Sequence, residues 1–161
     1  MTTVTSLHRE ADLRSRRASR NAIVGSFVGL ALALLVVGVV SGTLLRHIVQ
    51  IVPIGIGLGV LVRWPNRGAY AALPIFLFWA LVVVLIWLFL LGLSRIASGH
   101  YTRTEVGSTI VMLASSIVGT TQCVRLGRRL PILGRLSIFV LFAAIQFVAM
   151  WISFLPSIAN R

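Results

Sequence analysis

Five apolar runs, parted by short polar breaks rich in arginine, constrain this chain more than any other feature. They fall at about 21–41, 44–62, 69–93, 104–124 and 132–155, and each approaches or exceeds the roughly 20 residues that a helix needs to cross the hydrocarbon of a bilayer. Inside a membrane no water meets an unpaired peptide group, so runs of this length are expected to be helices, which satisfy their own backbone. The predicted fold is all-α: a polytopic integral membrane bundle of about five transmembrane helices. One domain, 21–156, lies between a basic tail at 1–20 and a short C-terminal tail at 157–161. Length and charged punctuation place the spans, because buried membrane helices show little amphipathic period.

Composition agrees: 58% of the 161 residues are hydrophobic and 11% charged, where a soluble domain has about a quarter charged. The first run is about twenty residues, longer than the roughly 7 to 15 of a cleavable signal peptide, and reads as a retained anchor. Fifteen basic residues, all arginine, face only Glu10, Asp12 and Glu105. They sit in the N-terminal tail and in breaks beside apolar runs rather than on one solvated face, which fits membrane orientation and not nucleic-acid binding.

The run "RHIVQIVPIGIGLGVLVR", 46–63, could span the membrane or dip in and return. Loops on the cytoplasmic side carry the excess of arginine, and this decides between the two. If the run spans and the N-terminus is inside, the cytoplasmic side holds five tail arginines with Arg63, Arg67, Arg125, Arg128, Arg129 and Arg135, eleven in all. The far side holds Arg46, Arg95, Arg103 and Arg161. If the run returns, the split becomes eight to seven. The expectation is therefore five spans with the N-terminus cytoplasmic, and Arg16, Arg17, Arg63, Arg67, Arg125, Arg128 and Arg129 as topology determinants. Arg46 would then snorkel outward, with His47 beside it near the outer boundary.

Local punctuation supports the cuts. "TRTE" sets Thr102 three residues before Glu105, the spacing of a capping box, so the fourth helix should begin there and Glu105 should have a structural role. "RWPNRG", 63–68, and "RLGRRLP", 125–131, read as basic turns. Phe76, Trp79 and Trp87 share one helical face, a packing or lipid-facing stripe.

The spans lack Asp, Lys and any Glu away from a helix end, which argues against a deep proton relay. Serines of the fourth span have no deep base, and His8, His47, His100 and Cys123 are too scattered for a metal site. Cys123 reads as a free structural thiol. A haem held by His47 and His100 is disfavoured because His100 lies in a polar loop. No enzyme and no cofactor are expected.

What remains is helix contact. Gly25 and Gly29, and again Gly55 and Gly59, stand four apart, a spacing that lets helices approach closely. Pro53 interrupts the second run; Ser115, Gly119 and Gln122 mark a small or polar stripe on the fourth, and Gln146 is the polar residue of the fifth. The favoured function is a non-enzymatic accessory or scaffold subunit, or a homo-oligomer, in a bacterial cytoplasmic (inner) membrane. Its partners would be the lipid bilayer, other copies or another membrane subunit. The alternative is a small channel or transporter whose path is lined by 46–63 and the polar face of the fourth span.

Overall fold

The structure, a computed structural model, describes residues 2–93, 102–127 and 131–159. Arg95, His100, Arg128, Arg129 and Arg161, used above in the charge count, the haem reading or the turn at 125–131, lie outside the described residues. Six helices follow one another: α1 Thr2–Val40, α2 Leu44–Arg63, α3 Pro65–Leu90, α4 Arg103–Leu126, α5 Ile132–Ser153 and the short α6 Pro156–Ala159. All of α2 to α5, and α1 from Glu10 onward, are long and apolar enough to cross a membrane. The protein is a multi-pass, all-α membrane protein.

The tail and the first span, expected as separate pieces, form one helix of 39 residues. Nothing between 2 and 24 breaks it, for that stretch has neither glycine nor proline and is rich in good helix formers. Arg16 Nε donates to Asp12 Oδ2 (3.1 Å) one turn back, an i,i+4 pair of the favourable charge order. At about 1.5 Å per residue such a helix is about 58 Å long, nearly twice a hydrocarbon thickness of about 30 Å.

The segment 46–63 does not double back. It lies within α2, a continuous helix of 20 residues with Pro53 inside it. Proline removes the donor that the Val49 carbonyl would use, yet the helix continues on both sides. Its ends are tight turns. Gly42 takes φ +67, and Thr43 N–H bonds Gly38 O (2.8 Å) while Gly42 N–H bonds Val39 O (3.3 Å), the paired bonds that close a helix through a left-handed residue. Trp64 alone separates α2 from α3, which starts on Pro65, where a missing N–H has no cost.

Helices α1 to α4 form a ring of antiparallel neighbours, α1 beside α2 and α4, α3 beside α2 and α4. The fifth helix lies outside that ring against α2 and α3, and does not touch α4. The chain therefore crosses the end of α3 between α4 and α5, where Gly127 meets the Tyr70 ring and the Arg135 guanidinium lies 5.6 Å from it. Across the ring, Phe27 and Phe76 stack at 4.7 Å, and Leu30, Ile54, Ile75 and Phe142 complete the core. Lipid is as apolar as leucine, so burial alone does not draw helices together there; close backbone approach and hydrogen bonds do.

Candidate functional site

At the end opposite the N-terminal arginines, the four-helix ring opens round a cavity of about 290 Å³. Arg46 and His47 from the first turn of α2 and Glu105 from the first turn of α4 stand nearest that end. Gln50, Trp79, Thr109 and Met112 line it further in, with Met150 of α5 and the apolar wall of Leu34 and Val37 on α1.

Each polar side chain is held by its own local geometry. Thr102 and Glu105 form the capping box: Thr102 N–H and Oγ1–H donate to Glu105 Oε2 (2.7 and 2.9 Å), and Glu105 N–H donates to Thr102 Oγ1 (3.3 Å). The cap keeps the carboxylate at the helix start, and the packing of α4 against α1 and α3 turns it to the cavity. His47 Nδ1 lies 3.0 Å from the Thr43 carbonyl. A carbonyl can only accept, so Nδ1 carries the proton and, in the neutral ring, Nε2 is an acceptor. The Thr43 hydroxyl is 3.2 Å from the same nitrogen and 2.6 Å from Ser41 Oγ. Arg46 lays its guanidinium 3.8 Å over the Phe154 ring, a cation–π contact that ties α2 to the end of α5.

Deeper, Gln50 is 2% exposed and donates to Ser153 Oγ (3.0 Å) and Met150 Sδ (3.3 Å), joining α2 to α5. Trp87 Nε1–H donates to Thr109 Oγ1 (2.9 Å), whose own hydrogen goes to Val106 O (2.7 Å). The tryptophan face foreseen as packing surface is packing surface in part, with Phe76 and Trp79 in the core. Trp79 also lines the cavity, and its Nε1–H has no partner.

Two more polar groups lie one turn beyond the cavity lining. Ser116 follows Met112 on α4, and Gln146 precedes Met150 on α5; both are fully buried. Among the described residues Ser116 Oγ and both amide atoms of Gln146 have no hydrogen-bond partner. Orphaned polar atoms of this kind are rare in folded proteins and point to water or a ligand. Past them stands the Phe27–Phe76 stack, where a Cβ on Gly119 would lie 2.5 Å from the Phe76 ring.

The other expected contact residues are divided by the fold. Gly29 packs on Ser115, whose Oγ would stand 2.7 Å from an added Cβ, and Pro53 is buried. Gln122 is half-buried. Gly25, Gly55 and Gly59 face away, with none of the described residues within 4 Å of an added Cβ, while Gly57 meets Ile75 and Phe27. Arg63, Arg67 and Arg125 are exposed, with Arg63 5.5 Å from the Trp64 ring. Arg16 and Arg17 line a second, basic cavity at the other end.

Sequence reasoning missed Gln50 and Trp79 as site residues and gave Glu105 only its cap. A signal existed for Gln50, the one uncharged amide in an otherwise apolar helix. None existed for Trp79, whose place depends on how α3 meets α2 and α4. Among the described residues no group of three or more His, Cys, Asp or Glu could hold a metal. Comparison with family models, curated proteins and solved structures finds no match for this chain.

Proposed function

We propose that this protein is a small transporter or channel that admits a polar solute into its four-helix core from the end away from the N-terminal arginines. The observation that carries this reading is the polar cavity lined by Arg46, His47, Gln50, Trp79 and Glu105, together with two fully buried polar side chains, Ser116 and Gln146, that stand one turn beyond its lining residues Met112 and Met150 and have no partner among the described residues. A bundle needing only to pack would have no use for unpaired polar atoms there, since each costs free energy in hydrocarbon. Arg46, Glu105, the His47 acceptor and the Trp79 donor together suit a solute that both donates and accepts hydrogen bonds. The Phe27–Phe76 stack closes the path beyond, and Met112 and Met150 in the cavity wall are pliable enough to move. With eleven arginines assigned to the cytoplasm, the cavity faces outward across a bacterial cytoplasmic membrane. No covalent chemistry belongs to this reading, and the protein is non-enzymatic in it.

The test is solute flux into liposomes holding the purified protein, with a panel of small amino acids and inorganic ions. Gln146→Leu and Trp79→Phe should slow uptake without loss of folded protein, and Phe76→Ala should make the vesicles leaky. Vesicles as tight as protein-free ones to the whole panel, and indifferent to all three substitutions, would end the proposal.

A second reading rests on a different observation, the bare outward faces of Gly25, Gly55 and Gly59. Such faces fit a homo-oligomer or an accessory subunit docked on α1 and α2. Light scattering in detergent distinguishes it: Gly55→Leu with Gly59→Leu should reduce the particle to one copy, while flux by the monomer would favour the transporter alone.

A further inference from the structure

The arginine-rich end contains a second cavity, also of about 290 Å³. Arg16, Arg17 and Arg20 line it from α1, and Pro65 and Asn66 from the first turn of α3. Leu13 and Leu126 supply an apolar margin. Arg16 is paired with Asp12, but among the described residues no carboxylate lies within ion-pair distance of Arg17 or Arg20. At the start of α3 the cap residue Trp64 offers no side chain to the free N–H groups, and Pro65 has none of its own. Asn66 and Arg67 N–H belong to a helix end whose dipole is positive, and Pro65 and Asn66 of that end line the same cavity.

We propose that this cavity binds a phosphate group, and that its occupant is the headgroup of an anionic phospholipid. Three guanidinium groups with a helix N-terminus make the donor-rich, cationic lining that phosphate oxygens require. The lipid source follows from position. Arg20 stands where α1 passes from its polar part into its apolar run, the depth of a headgroup, and Leu126 ends the apolar fourth helix beside it. This site is independent of the solute path at the other end.

The experiment uses the purified full chain in mild detergent, titrated with phosphatidylglycerol, phosphatidylcholine or inorganic phosphate, and read by thermal unfolding and by native mass spectrometry. Phosphatidylglycerol should bind saturably and raise Tm; phosphatidylcholine should not. Arg17→Gln with Arg20→Gln should weaken phosphatidylglycerol by roughly thirtyfold, two basic residues at the strength typical of anionic lipid surfaces. Arg63→Gln with Arg125→Gln removes equal charge from the same end outside the cavity and should leave binding within about threefold. Both pairs are exposed, so lipid-free Tm should be unchanged. Equal losses in the two double variants would reduce the effect to general charge attraction and overturn the site. Inorganic phosphate binding as tightly as the lipid would overturn the lipid assignment.

Discussion

The two ends of the bundle are closed on different terms. At the arginine-rich end the chain touches itself closely at glycine: Gly68 lies against the Leu61 backbone, and Gly127 against the Tyr70 ring. At the opposite end the same helices stand round a cavity lined by Arg46, His47, Gln50, Trp79 and Glu105, joined by single hydrogen bonds such as Gln50 to Ser153. Where lipid supplies no hydrophobic drive, contact density must come from missing side chains, and an end rich in polar ones is left with room for a guest. The arginine-rich end is thus braced by close glycine contacts beside its basic cavity, whereas the other end is held round its polar cavity by side-chain bonds.

Substitutions of one kind at the two ends break this comparison most directly. Gly68→Val drives a side chain into the Leu61 backbone, which cannot move aside as a side chain could. It should cost about 3 kcal/mol or more, the upper range for overpacking, seen as loss of folded protein in detergent unfolding. Recovery at wild-type level would mean that the α2–α3 turn is not the support claimed. A smaller effect belongs to Gln50→Leu, which removes the bond to Ser153 and should lower stability by about 0.6 to 1.7 kcal/mol, the span found for hydrogen bonds between membrane helices. Its larger consequence should be on solute uptake, and an unchanged uptake would separate the α2–α5 bond from the cavity's role. The smallest effect is at Gly107, one turn into α4 at the open end, where an added Cβ meets nothing. Gly107→Ala should be neutral or add up to about 1 kcal/mol through helix propensity, and a marked loss would show that this end is packed after all.

Much of the fold was legible. Run length and arginine punctuation mark all five spans, and the Thr102–Glu105 spacing marks a cap that the structure contains. The joining of tail to first span was legible too, in the absence of any breaker before Gly25, although a charged stretch invites separation from an apolar one. Which side of a helix faces inward was harder. In α2 the four-residue spacing singles out Gly55 and Gly59, but a helix turns about 100° per residue, so Gly57 stands on the opposite side. Spacing alone finds a face without saying which face is buried. Gln50 could have set the phase: a polar side chain in an apolar helix points to the interior, and Gly57 lies seven residues, two turns, along the same face. The same argument on α5 links Gln146 to Ser153, both buried. The cavity itself was beyond reach, because it is made by four helices whose order round the ring no local pattern encodes.

The unbroken first helix has a mechanical consequence. Leu34 and Val37 wall the polar cavity, Arg16, Arg17 and Arg20 wall the basic one, and all five belong to one rod without proline. A tilt of that rod about the Phe27–Phe76 contact would move its two arms in opposite senses. The molecule has the layout of a lever with its fulcrum at that stack.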